Sequence, residues 1–231
     1  LKLEVRQDNH VNDDPWHEFK EGVEYVLQHR LFLTLILLSW ISMFFGTSYV
    51  QIMPLFAEML QSGERGFGLL ISATGVGSII GNLFISHYQQ SRKLGIMMLS
   101  SAAMAPCSLI GFSLVSWILA GTAGAFWMAC CFAILTSALS SVFLVSSMTV
   151  LQIKVPDAFR GRVMGIHSIT FSMISLGGLA AGALAAQFSA PVAVVIGAFV
   201  VLSSVTWVVF KVSEIAKLDL NLQSKQTESF Q

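Results

Sequence analysis

Charge is what this sequence has least of. Only 11% of its 231 residues are Asp, Glu, Lys or Arg, against about 25% in a soluble domain, while 55% are hydrophobic. That imbalance excludes an ordinary water-facing surface. Thirteen basic and thirteen acidic residues cancel to a net charge of zero, so no overall field selects nucleic acid or an acidic partner. Cysteine is scarce too. Cys107, Cys130 and Cys131 all lie in apolar runs, odd in number and without metal or disulfide spacing. They read as small buried hydrophobes. No Ser/His/Asp set, carboxylate pair or metal cluster falls within the apolar tracts, so neither an enzyme nor a metal or other cofactor is expected. The opening stretch from Leu1 is polar and acidic, which is not the pattern of a signal peptide. Since the first residue is not Met, the natural chain is expected to begin further upstream.

What is abundant is uninterrupted apolar sequence. A helix needs roughly 20 apolar residues to cross a bilayer core. Leu31–Ala57, Gly66–Ser91, the 60-residue tract Leu94–Ile153 and the 48-residue tract Val163–Phe210 contain no Asp, Glu, Lys or Arg. The last tract divides at Gln187–Pro191. The 60-residue tract holds two or three spans, and the charges flanking it decide. Cytoplasmic loops are enriched in Lys and Arg. With two spans there, twelve of the thirteen basic residues share one side and Arg65 stands alone on the other.

The expected fold is therefore an all-α membrane protein of six transmembrane helices. The spans are predicted at about 31–57, 67–88, 94–114, 117–153, 163–186 and 191–210, with both termini cytoplasmic. Outer turns are expected at Gln61–Arg65, Val115–Ser116 and Gln187–Ala190. The fourth helix comes out long, its stretch Ala138–Ile153 extending beyond the bilayer or lying under the headgroups. Residues 1–30 form a cytoplasmic linker and 211–231 a cytoplasmic tail.

Within the linker, Asp13-Asp14-Pro15 reads as a helix start. Trp16, Phe19, Val23, Val26 and Leu27 then recur at helical spacing, opposite Lys20, Glu21, Glu24 and Gln28. Such an amphipathic helix, about 15–29, suits the membrane interface.

Inside the spans, polar groups are candidates for function. His167 is the one ionisable side chain well within a span; it reads either as a substrate or proton-responsive group or as a histidine satisfied by a neighbour. Gln51 and Asn82 each need a partner or a wet cavity. Phe44, Tyr49, Phe126 and Trp127 are aromatic candidates for a cavity wall, or for helix packing. Gly75, Gly77 and Gly81 on the second span and Gly177, Gly178 and Gly182 on the fifth form small-residue stripes that let backbones approach closely. Their occurrence in corresponding spans suggests two three-helix repeats.

The linker between the fourth and fifth spans reads Val155-Pro156-Asp157-Ala158-Phe159-Arg160-Gly161-Arg162-Val163-Met164-Gly165. Arg160 and Arg162 flank a glycine expected to turn the backbone tightly. They can pair with carboxylates or lipid phosphates, or serve simply as topogenic charge. This segment resembles the VPxxxRGRVMG loop of the major facilitator superfamily. The stretch Phe19–Arg30 is similar to that family's EGxxYVxxHP helix, with Arg30 in place of the proline. Both are most typical of the branch of enterobactin and multidrug exporters.

The likeness covers the whole chain as the carboxy-terminal half, helices seven to twelve. His87-Tyr88-Gln89-Gln90-Ser91-Arg92-Lys93 departs from the family's GxLxDRxGR loop, lacking its glycine and aspartate. The resemblance implies alternating access in the bacterial inner membrane and export of a small-molecule substrate such as a siderophore or drug. It also implies proton coupling, an amino-terminal six-helix half as partner, and a cytoplasmic gate at Pro156, Asp157, Arg160, Gly161 and Arg162. The glycine-bearing helices would pack against that other half. Two alternatives compete: a non-transporting scaffold or truncated remnant, and a half-size transporter whose homodimer seam is the glycine stripes.

Overall fold

The computed structural model describes residues 15–88, 94–122 and 124–211. All regular structure among them is helical: α1 (Pro15–Gln28), α2 (Arg30–Ile41), α3 (Met53–Met59), α4 (Gly63–Tyr88), α5 (Leu94–Ile118), α6 (Ala125–Lys154), α7 (Asp157–Gln187) and α8 (Ala190–Lys211). Among the described residues six segments are long and apolar enough to cross a membrane. The first runs from Arg30 to Met59 through α2 and α3; the others are α4 to α8. Asp13-Asp14, the 89–93 connection with Arg92 and Lys93, and the tail beyond 211 lie outside the described residues.

Three expectations about boundaries and local geometry need correction. The third helix does not break at Val115–Ser116. Ser116 is buried, and its hydroxyl donates to the Phe112 carbonyl at 2.8 Å within α5. The break falls at 119–124, where Gly121 takes φ +82°, a conformation open to glycine at no cost. The fourth helix therefore starts at Ala125, not at Trp117. Val142, Phe143, Val150 and Leu151 are buried in one of the two cores.

The first span is not a uniform helix. Residues Ser42–Thr47 form a π-helix and Ser48–Ile52 a 3₁₀-helix between α2 and α3, the kind of irregularity frequent at functional sites. Finally, Arg160-Gly161-Arg162 is no loop. It lies in the first turns of α7, whose helix starts at Asp157 after Pro156, and Gly161 does not take a positive φ. At about 1.5 Å per residue α7 exceeds a ~30 Å hydrocarbon core by several turns, so charged residues fit its projecting start.

Packing follows the two-repeat pattern. The second helix of each triplet lies against the first helix of the other: α4 on α6, and α7 on the irregular part of the first span. Glycine makes both contacts. A Cβ on Gly77 would run into the Ile134 carbonyl, one on Gly81 into the Ala138 carbonyl, and one on Gly177 into the Phe44 carbonyl. A Cβ on Gly178 would sit 2.5 Å from Cγ of Gln51. In lipid no hydrophobic force joins helices, so this close approach and its dispersion contacts hold the bundle. The stripes are thus spent inside this six-helix unit. This corrects the expectation that they form a homodimer seam; of the six stripe glycines only Gly75 and Gly182 have open space around them.

Two buried cores result, one toward each end. Leu35, Leu38, Met98, Leu151 and Val163 belong to the one shared with α1; Met53, Phe56, Leu70, Leu109 and Phe112 belong to the other.

Candidate functional site

Between the two cores, halfway along four spans, lies a cavity of about 260 Å³. The first span contributes Met43, Thr47 and Val50; α4 contributes Thr74, Gly75 and Ser78; α6 contributes Ser137, Ser140, Ser141 and Leu144; α7 contributes Phe171 and Ile174. Six hydroxyls face a space walled otherwise by apolar atoms, and no lining residue is charged. Helical spacing makes this surface: Ser137, Ser140, Ser141 and Leu144 fall on one face of α6, and Thr74 and Ser78 on one face of α4.

Several hydroxyls are already held. Thr74 Oγ1 donates to the Ile71 carbonyl at 2.7 Å and Ser78 Oγ to the Gly75 carbonyl at 2.8 Å. Each keeps lone pairs for a solute. The Tyr49 hydroxyl lies 3.4 Å from Ser137 Oγ behind the wall. Such a site can hold a solute by shape, apolar contact and weak neutral hydrogen bonds, and it carries no group able to move a proton by itself.

The side chains singled out from sequence are placed elsewhere. Phe44 packs edge-on to Phe45 with centroids 4.7 Å apart, its carbonyl under Gly177. Tyr49 is buried beneath the cavity, against Phe112. Gln51 is exposed, its stem against Gly178; Asn82 is exposed on α4. Phe126 and Trp127 meet at 5.5 Å in the first turn of α6, three turns from Ser137, with Trp127 65% exposed. His167 is buried, with Nδ1 3.3 Å from Thr170 Oγ1.

None of these seven lines the cavity. Gly75, first read as a packing glycine, does. The lining hydroxyls were missed because a serine or threonine within a helix commonly satisfies itself on a carbonyl three or four residues back. Their shared face on α6, at 137, 140, 141 and 144, was the available signal.

At the Arg160 end of the bundle the gate candidates divide. Arg160 pairs within α7 with Asp157 at 2.5 Å, on an exposed surface. Arg162 reaches across to α1: its guanidinium is paired and hydrogen-bonded with Glu21, and Glu18 lies 3.8 Å away. Tyr25 of α1 stacks on Phe159 at 4.4 Å and 8°. Gly22 lies so close that a Cβ there would be 2.8 Å from Cβ of Arg162.

The face of α1 turned inward is thus Glu18, Glu21, Gly22, Tyr25 and Val26. Trp16, Phe19 and Leu27 of the apolar stripe stay exposed. A half-exposed ion pair of this sort contributes about 1 kcal/mol. Arg162→Ala should therefore loosen α1, and trypsin should cut at Lys20 about fivefold faster. Arg162→Lys, which keeps the positive charge toward Glu21, should stay close to the slow rate.

A model of the family described as Major Facilitator Superfamily matches residues 9–230. No curated protein and no solved structure matches the chain.

Proposed function

The chain belongs to the Major Facilitator Superfamily, a family of membrane transporters, and on that premise we propose that it is the carboxy-terminal half of an exporter of small organic solutes. It works by alternating access. Its own six spans form one rocking unit, and an amino-terminal six-helix half forms the other. The solute, a siderophore-like or drug-like molecule, sits midway along the spans. Tilting of the two units opens the site first to one face of the membrane and then to the other.

One observation supports this reading best: the cavity of about 260 Å³ lies at mid-span, between two well-packed ends, on the first, second, fourth and fifth spans. A scaffold would have no reason to leave that space lined by six hydroxyls. Uncharged walls suit amphipathic solutes, because a charged one would lose hydration without gaining a counter-ion from this half.

The proposal places the protein in the bacterial inner membrane with both termini cytoplasmic. Arg30, Lys154, Arg160 and Arg162 then gather at the cytoplasmic end, as the distribution of positive charge requires. Pro156, Asp157, Arg160, Gly161 and Arg162 form the cytoplasmic edge whose ion pairs bias the closed against the open state. Energy comes from the proton gradient, with the proton-carrying groups on the other half.

The test is dye retention in cells that carry the whole transporter. Cells with the active protein should retain less of an amphipathic fluorescent dye than cells with an inactive variant. A protonophore should abolish the difference. Equal retention across a broad panel of solutes would reject export.

A further inference from the structure

We infer that a trench between α4 and α5 is a binding site for one acyl chain of a phospholipid, drawn from the leaflet at the Arg160 end of the bundle. Among the described residues α4 and α5 both lie along α6 but scarcely touch each other. The space left between them has a volume of about 330 Å³. Phe84 of α4 and Met97 and Met104 of α5 wall it, and Leu135, Ala138 and Val142 of α6 form its floor. Phe84, Met104 and Leu135 are about half exposed, so the trench is open along the surface of the bundle. The floor residues are offset by two from Ser137, Ser140 and Leu144 of the transport cavity, which turns them to the opposite face of α6. That face looks away from the solute and toward the bilayer.

The chemistry of the trench suits hydrocarbon. No lining residue is charged. Its two hydroxyls are spent on their own helix: Ser100 Oγ donates to the Met97 carbonyl at 3.1 Å and Ser101 Oγ to the Met98 carbonyl at 3.0 Å. No lining side chain has another N–H or O–H to give. The bilayer core holds no water to fill such a hollow, and a void would cost its walls their dispersion contacts. Lipid tails are the material around it.

Size and depth select a single chain. A helix 10–12 Å across would need roughly 800–1,100 Å³ over the ~10 Å between Met97 and Met104, far more than the trench offers. An alkyl chain one carbon wide fits. Because α5 begins at Leu94, Met97 and Met104 lie about 5 and 15 Å from that end. Half of a ~30 Å hydrocarbon core is ~15 Å. The trench thus runs from just beneath the headgroups to the bilayer midplane, the depth that one chain reaches. Ile85 and Leu94 share a core with Val163, which puts this end beside Arg160. Tyr88, one turn beyond Phe84 with ring centroids 4.8 Å apart, stands at headgroup level, where tyrosine is enriched.

Helices hold this chain on three sides, whereas lipid against the convex face of α8 is held on one. The two methionines let the wall adapt to it. On its other side α4 carries Thr74, Gly75 and Ser78 into the transport cavity, so the seated chain supports that wall from behind.

Photolabelling of the complete transporter tests the site without reference to transport. The protein is reconstituted in phosphatidylethanolamine–phosphatidylglycerol vesicles with a trace of phospholipid bearing a diazirine in one acyl chain. Label per residue at Phe84, Met97 and Met104 should exceed that at Phe199, which is 58% exposed on α8, by about fivefold. Moving the diazirine from the headgroup end of the chain to its tail should shift label from Met97 to Met104. Ser100→Phe, which fills the trench from an exposed position on α5, should remove the excess at Met104 and leave Phe199 unchanged. Equal labelling of Phe199 and the trench would overturn the inference, as would an unlabelled trench, which would mean that protein covers it. Should Ser100→Phe fail to fold, the comparison within the unaltered protein still decides.

Discussion

Replacing Gly77 by valine should cost about 3 kcal/mol and lower the thermal midpoint of the detergent-solubilised protein by about 10 °C. The reason is specific. The glycine Cα faces the backbone of α6 at Ile134, and even the first carbon of a side chain has nowhere to go. The obstacle is a carbonyl group, not a side chain that could change rotamer, so α4 and α6 must separate along their whole contact. Gly81 stands one turn further on against Ala138, which keeps the helices from pivoting about a single point. Gly177→Val should behave alike, through the Phe44 carbonyl. Gly182→Val should leave the midpoint nearly unchanged, because its surroundings are open. A midpoint for Gly77→Val within a degree or two of the parent would mean that the two helices do not meet as described.

Gly75→Phe should have the opposite character: stability close to the parent, and transport reduced about a hundredfold, a loss of some 2.7 kcal/mol in productive binding. Gly75 lies only two residues before Gly77 on the same helix, yet a Cβ there meets nothing within 4 Å, and Gly75 lines the mid-span cavity. A phenyl group would occupy much of the space that the solute needs, without pressing on any backbone. Transport per molecule of protein, together with the thermal midpoint, separates this from misfolding. Full transport by a stable Gly75→Phe protein would remove the cavity from consideration as the solute site.

The contrast between those neighbouring glycines shows what sequence could and could not reveal. The six spans were legible because bilayer thickness and the cost of burying charge act on every residue of a tract, and Leu31–Ala57 or Val163–Phe210 carry that constraint openly. Within Leu94–Ile153 no charge marks the turn. There the glycines at 121 and 124 were better guides than Trp117, since a tight connection depends on backbone freedom and not on an aromatic at its edge.

The stripes on the second and fifth spans were also visible, but not which helices they meet. That depends on the rotation of each helix about its axis, fixed by contacts from distant parts of the chain. The same rotation turns Trp127 outward and Ser140 inward. Aromatic residues drew attention to the end of α6, whereas the hydroxyl face three to four turns further on lines the space. At the Arg160 end, the pairing of Arg162 with Glu21 joins residues 141 apart in sequence, which no local pattern announces. The acidic face of α1 and the basic start of α7 were each plain to read.

The most direct measurement concerns water access to the cavity wall. In a background where Cys107, Cys130 and Cys131 have been replaced, Ser140→Cys should react with a membrane-impermeant, water-soluble thiol reagent in the assembled transporter, and a transported solute should slow the reaction. Met104→Cys, 55% exposed on the outer side of α5, should not react, because a thiol in hydrocarbon does not ionise. Labelling of Met104→Cys together with silence at Ser140→Cys would contradict a wet, solute-accessible cavity between the first, second, fourth and fifth spans.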